Sequence, residues 1–226
     1  EYEAGVEMGK FFADKGIKTA AIYGAFIPNP MHVYRTAGVL AGLGLSYGGA
    51  TTEEDVVGLI FADQGIDLSK ISGDIKIVSY LQGYGDTTTD EINAAIQAAP
   101  EAFISVGMAT TFFTQQLNAA GIEFSDIDSF TKSNGEAITN GKLVYLAGKY
   151  SSSVGPAFAL VMNAINGNVI RDAQGNAVSL SQNYQVATDS ETFDKFYKND
   201  NGDNPIYSRD TLDQIIGDTV TFDTIN

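Results

Sequence analysis

The chain has 226 residues, of which 44% are hydrophobic, so it can form a sizeable core and is not disordered along its whole length. Its formal net charge of -15 disfavours nucleic acid and anionic lipid as partners, because both require a positive protein surface. It contains no cysteine, which excludes disulfides, thiolate nucleophiles and thiolate metal sites.

Short apolar strands alternate with helices along the first two thirds of the chain. A helix over residues 2–15 comes first, and each later strand is followed by a helix. This alternation predicts an α/β fold with a doubly wound parallel sheet covered on both faces, in the flavodoxin-like strand order 2-1-3-4-5. The predicted strands are 18–24, 74–81, 102–106, 124–130 and 142–147, and the later helices are 32–44, 87–98, 109–120, 134–140 and 153–166.

Two parts of the chain depart from this pattern. Residues 45–73 contain an acidic triplet before an apolar run, which indicates a short helix in an insertion. After the last helix, residues 167–178 favour a hairpin or loop, 181–187 a further strand, and 198–205 a polar loop.

The residues after each predicted strand are the candidates for a binding site, because parallel sheets bind ligands at the carboxyl ends of their strands. Arg35, early in the helix after the first strand, can give forked hydrogen bonds to ligand oxygens. Tyr84 lies between two glycines and Phe130 ends its strand, so both rings suit stacking on a sugar or a base. The other turns at this edge contribute Met108, Thr131 and Lys149.

Motifs of catalysis and cofactor binding do not accompany these turns. None of these turns contains a Gly-x-Ser-x-Gly elbow or a Walker A lysine, and the Gly83-Tyr84-Gly85 turn lacks the third glycine of a dinucleotide site. The single histidine, His32, is expected at the loop surface. The stretch 199–204 is rich in Asn and Asp but lacks EF-hand spacing, so we expect a solvated turn. We predict a binding protein and no enzyme, with no cofactor and no metal.

Five segments of the chain carry a resemblance to a known family. They are Tyr2–Gly5 leading to Gly16, strand 18–24 followed by Arg35–Gly38, Ala99–Ala102 before the third strand, Asn134–Leu143, and Ser153–Gly155 leading to Gly167. Their order and spacing resemble the C-terminal lobe of type I periplasmic-binding proteins. That superfamily includes the sugar-binding components of ABC transporters and the effector domains of LacI-type repressors.

The resemblance implies a division of the chain and a function. Residues 1–150 would form the C-terminal ligand-binding lobe, and 151–226 would cross to and associate with an N-terminal lobe. That lobe would contribute about a hundred residues before Glu1, the size of a small domain. The protein would be an extracytoplasmic solute-binding protein of an ABC importer, a periplasmic or cell-surface lipoprotein that delivers a small polar ligand to an ABC permease.

The family's ligand positions match this chain unevenly. Arg35 and Tyr84 fall on them, whereas Met108, Thr131 and Lys149 stand where the family often has other residues. The resemblance therefore implies a sugar or a nucleoside-like ligand rather than a common hexose or pentose.

Two alternatives remain open at this point. A ligand-sensing domain of a regulator or receptor would have the same fold, although a repressor needs a basic DNA-binding segment that these residues lack. A flavodoxin-like enzyme or cofactor carrier would need a phosphate cradle after the first strand. Pro28 and Pro30 disfavour it there, because proline has no N–H to donate.

Overall fold

The computed structural model describes residues 1–83, 89–203 and 205–225. Within them, six strands form one sheet and two very short strands form a separate antiparallel pair. The strands are β1 (Thr19–Tyr23), β2 (Ser46–Tyr47), β3 (Ile71–Ser72), β4 (Lys76–Leu81), β5 (Ala102–Ser105), β6 (Glu123–Ile127), β7 (Leu143–Gly148) and β8 (Gln185–Ala187).

The main sheet has the order β4-β1-β5-β6-β7-β8. Its first five members are parallel, so the predicted order 2-1-3-4-5 is confirmed. Because β4 and β5 flank β1 on opposite sides, right-handed crossovers place the helix after β1 and the helix after β4 on opposite faces. The sheet also gains a member: β8 pairs antiparallel with β7 at the edge and is shorter than the predicted strand 181–187.

Helices cover this sheet, and their bounds differ from the predicted ones at several ends. The predicted helix 109–120 is two helices that meet at Phe113. A helix runs to Asn201 and takes in the start of the predicted polar loop 198–205. The helices are α1 (Tyr2–Asp14), α2 (Pro30–Gly42), α3 (Glu53–Asp63), α4 (Thr89–Gln97), α5 (Ala109–Phe112), α6 (Thr114–Ala120), α7 (Lys132–Asn140), α8 (Gly155–Ile165), α9 (Ser190–Asn201), α10 (Arg209–Gln214) and α11 (Phe222–Ile225).

Four glycines let α1 and α2 cross at very close range. Gly5 and Gly9 in α1 face Gly38 and Gly42 in α2. A Cβ atom added to Gly38 would lie 2.1 Å from the carbonyl oxygen of Tyr2, which is far inside van der Waals contact. The crossing fixes α2, and with it the position of Arg35 relative to the start of α1.

The C-terminal part of the chain divides between two surroundings. β8 joins the main sheet and α9 contacts α7, so residues 185–201 pack on the main sheet and one of its helices. In contrast, α8 packs against residues 205–225: the Asn163 side chain donates to the Ile215 carbonyl (2.9 Å) and accepts from the Gly217 amide (2.7 Å).

The other side of α8 presents an apolar face to solvent. We call it the α8 face, and it carries large side chains spaced three or four residues apart, as on one side of a helix. Such a continuous apolar stripe is unusual on a solvated helix. Its members are Val154, Phe158, Val161 and Ile165, which are 49–71% exposed.

Candidate ligand-binding edge

The carboxyl ends of the five parallel strands lie at one edge of the sheet, which we call the carboxyl edge. The backbone of α2 starts here because Asn29 caps it, accepting a hydrogen bond from the Met31 amide (3.0 Å), and Pro30 occupies the first helical position. Arg35 follows in the second turn and reaches the end of β5.

Arg35 is buried, with 5% of its surface exposed, and three of its nitrogens have partners. Its Nε donates to Glu1 Oε2 (2.7 Å), one terminal nitrogen donates to the Val106 carbonyl (2.9 Å), and the other donates to the Tyr184 hydroxyl (2.5 Å). The guanidinium thus joins the start of α1, the end of β5 and the segment before β8. It holds the edge together instead of projecting into solvent.

Glu1 accepts hydrogen bonds from both Arg35 and the Tyr184 hydroxyl (2.7 Å) through the same carboxylate oxygen. Burial alone would raise the pKa of this carboxyl, but the Tyr184 hydrogen bond and the charge and hydrogen bond of Arg35 lower it to about 2. Glu1 is therefore ionised at any physiological pH.

Lys149 completes this group, which we call the edge cluster: Glu1, Arg35, Lys149 and Tyr184. The Lys149 ammonium lies 3.5 Å from Glu1 Oε1 and 4.5 Å from the centroid of the Tyr184 ring. That position gives it a cation–π contact with the ring. Arg35 and Lys149 outnumber Glu1, so the cluster carries one net positive charge on an acidic protein.

Two concavities border Lys149. One, of about 720 Å³, is lined by Glu1, Glu3, Ala4, Glu7, Lys149 and residues 180–184. The other, of about 290 Å³, is lined by Lys149, Tyr150, Ser153, residues 181–183, Gln185, Ile206 and Tyr207. Arg35 lies behind Glu1 and Tyr184 and does not line either one, so Lys149 is the one predicted site residue within the described ranges that borders these concavities.

Phe130 lies in a different environment from the edge cluster. Its ring is 2% exposed and packs against Tyr150, Phe193 and Phe196, with centroids 5.3–6.1 Å apart. It does not end a strand, because β6 stops at Ile127. In this structure Phe130 is a core residue that contacts two aromatic side chains of α9.

The remaining predicted site residues take local backbone roles. Met108 has a left-handed backbone (φ 66°) and precedes α5, and the Thr131 hydroxyl caps α7 by accepting from the Asn134 amide (3.3 Å). Tyr84 lies outside the described residues. Thus the structure brings Arg35 and Lys149 together around Glu1, while Phe130 lies apart from them.

The expectation for His32 was wrong. It is 2% exposed, and its Nδ1 lies within hydrogen-bonding distance of the backbone of Phe26. Burial lowers its pKa, so the ring is neutral at physiological pH. The first turn of α2 folds back over the preceding loop, which is why a residue close to two prolines is buried.

Two carboxylates of the edge were missed by sequence reasoning. Asp126 is fully buried near the end of β6, and Asp128 directly follows that strand and accepts from the Ser129 amide (2.7 Å). An Asp-x-Asp pair closing a strand would have indicated them. Glu1 and Tyr184 were also missed, since no local pattern distinguishes them. Across residues 1–83, 89–203 and 205–225, no group of three or more acidic or histidine side chains is placed to hold a metal ion.

Comparison with solved structures relates this chain to solute-binding proteins. An arabinose-transporter binding component from Shewanella sp. ANA-3, bound to L-arabinofuranose, matches with a TM-score of 0.56 and 17% identity, over 88% of this chain and 60% of that one. A galactofuranose binding protein matches with a TM-score of 0.57 and 10% identity, over 88% and 62%. A periplasmic solute binding protein from Actinobacillus succinogenes 130z, bound to D-allose, matches with 0.54 and 16%, over 86% and 60%.

These similarities establish the fold, and the resemblance to type I periplasmic-binding proteins is confirmed at that level. The chain spans about 60% of the length of the proteins it matches. No protein-family model and no curated protein sequence matches it. Among the helices that the structure describes, none has both the length and the apolar character needed to cross a bilayer.

Proposed function

We propose that this chain is a ligand-binding part of an extracytoplasmic solute-binding protein that captures a small polar ligand, a sugar or a nucleoside-like molecule, at its carboxyl edge. The observation that carries the proposal is the edge cluster. The half-exposed Lys149 lies beside the Tyr184 ring and the Glu1 carboxylate there. The buried Arg35 holds Tyr184 and Glu1 in place through hydrogen bonds. A cation donor next to an aromatic face suits a neutral ring that bears hydroxyl groups.

The α8 face supports a second lobe. The matched solute-binding proteins are longer than this chain, and within the part of the chain that the structure describes nothing covers this continuous apolar surface. We assign the face to contact with an N-terminal lobe, so that the ligand is enclosed between two lobes that close by hinge motion. The edge cluster would then lie at the hinge side, because Lys149 directly follows β7 and Tyr184 directly precedes β8, at the two ends of the segment that leaves the main sheet and returns to it.

Delivery to an ABC permease, and a location outside the cytoplasmic membrane, complete the proposal. They rest on what the matched proteins are described as, an arabinose transporter component and a periplasmic solute binding protein. The role proposed for this chain is binding without chemical conversion of the ligand.

The direct test is ligand titration with a matched pair of lysine variants. Lys149 and Lys142 flank β7, one at each edge of the sheet. We expect L-arabinose, D-allose or a nucleoside to raise the melting temperature, because a ligand that binds only the native state stabilises it. Lys149→Met should weaken binding of the active ligand roughly 10- to 150-fold, the cost of a charged hydrogen bond.

Lys142→Met is the control and should bind like the wild type, because Lys142 lies at the amino edge of the sheet, far from the cluster. Equal affinities of the two variants would remove the edge cluster from the binding site. If none of the three ligand classes binds in a chain that includes the second lobe, the proposed function is wrong.

A further inference from the structure

A buried carboxylate at the carboxyl edge has no role in the proposed site as described so far. Asp126 is fully buried on β6, and its side chain points at the turn between β5 and α5. We propose that Asp126 is a positioning residue that holds this turn, and through it the acceptor of Arg35, in the geometry the binding edge requires. The link to binding rests on the proposed function; the link to the turn does not.

The contacts of Asp126 divide between its two oxygens. Oδ2 accepts from the Thr110 amide (2.7 Å) and from the Thr110 hydroxyl. Oδ1 accepts from its own neighbour, the Ile127 amide (2.9 Å), and from the Ser105 hydroxyl (3.2 Å). The carboxylate therefore joins the end of β5, the end of β6 and the first turn of α5.

Ser105 extends this network into the turn itself. Its hydroxyl oxygen also accepts from the Gly107 amide (3.1 Å), so residues 105–110 are held at both ends. Between them, Met108 has a left-handed backbone, which a residue with a side chain adopts only when its surroundings impose it. The Val106 carbonyl that accepts from Arg35 lies within this same stretch.

A carboxylate is the one side chain of this size that satisfies the site. Each of its oxygens faces a backbone N–H, that of Thr110 on one side and that of Ile127 on the other. An asparagine could place its oxygen toward only one of them, and its NH₂ group would then oppose the other donor in a buried position. Neither orientation of the amide avoids this conflict.

The pKa of Asp126 is consistent with a structural role for its carboxylate. Burial raises the pKa of Asp126 to about 6, and the charge of Asp128 adds to the rise, whereas the hydrogen bonds from Thr110 oppose it. The other groups around the turn that can carry charge are Arg35, bonded to Val106, and His32 beside Gly107. A carboxylate retained at such a cost indicates that its acceptor geometry is needed.

Amide hydrogen exchange tests the positioning role without any ligand. In Asp126→Asn, protection of the amides of Gly107 and Thr110, relative to that of Ile22 in β1, should fall roughly 10- to 150-fold. Ser125→Ala is the control: it removes a buried hydroxyl that accepts from the Ser105 amide (3.0 Å) but does not touch the Asp126 carboxylate. It should leave that protection ratio unchanged.

Two milder variants keep the test valid if Asp126→Asn does not fold. Thr110→Val removes the hydroxyl donor and should lower the protection ratio, whereas Thr110→Ser keeps the hydroxyl and should restore it. Unchanged protection in Asp126→Asn, or equal values in the valine and serine variants, would overturn the proposal. If the exchange results are as expected and L-arabinose, D-allose and nucleosides all fail to bind, the positioning role stands and the proposed function fails.

Discussion

At the scale of single residues, Asp126 predicts a pH dependence of stability. Its pKa is about 6 in the folded protein and near 3.8 when unfolded, so between these values the native state binds more protons than the unfolded state. Its contribution to stability is therefore greatest at low pH and is lost as the pH rises from about 4 to about 7, by about 3 kcal/mol.

The measurement compares urea unfolding of the wild type and of Asp126→Asn across that pH range. The difference between their free energies of unfolding isolates Asp126, because every other carboxyl titrates in both proteins. Glu1 is one of these, and its contribution has the opposite sign, since its pKa is lowered to about 2. A difference that stays constant from pH 4 to 7 would contradict a raised pKa at Asp126.

Also at the scale of residues, Arg35 and Lys149 could be predicted from the sequence as residues of the carboxyl edge, but their contacts there could not. Both follow predicted strands, and the geometry of a parallel sheet is enough to place such residues at one edge. The partners of Arg35 could not be predicted, because Glu1 and Tyr184 lie 34 and 149 residues away in the sequence. Phe130 was assigned to the site because the strand was predicted to continue to residue 130, whereas β6 ends at Ile127.

At the scale of elements, the crossing of α1 and α2 predicts opposite outcomes for two glycine-to-alanine changes. Gly38→Ala would place a methyl group against the backbone of α1, at atoms that cannot move aside, so it should destabilise by about 1–3 kcal/mol or more. Gly58→Ala, inside α3, meets nothing within 4 Å and should stabilise by about 0.5–1 kcal/mol through helix propensity. Thermal unfolding of both variants measures the two signs. A neutral Gly38→Ala would mean that the helices are farther apart than described.

The predicted elements were right where the apolar pattern was regular. The alternation of strands and helices was sufficient for the five parallel strands and their order, because right-handed crossovers leave few other arrangements. It failed at the predicted helix 109–120, which is interrupted at Phe113. The hydroxyl of Thr114 bonds to the carbonyl of Thr110 (2.7 Å) at the junction of α5 and α6, and no hydrophobic period reports such a contact.

At the scale of the whole molecule, the α8 face allows a test of the proposed second lobe. Phe158 lies on that face and is 49% exposed, whereas Phe193 on α9 is 5% exposed and packs on Phe130 and Tyr197. In this chain, Phe193→Ala should cost about 3–5 kcal/mol of stability. Phe158→Ala should change stability by no more than about 0.5 kcal/mol, as expected of a surface position.

In a longer protein that includes the second lobe, Phe158→Ala should cost about 1.5–3 kcal/mol, because the ring is then buried. Chemical unfolding of both variants in both proteins gives the four values. If Phe158→Ala is as costly as Phe193→Ala in the 226-residue chain, the face is covered from within, and the case for an N-terminal lobe docking on α8 is lost.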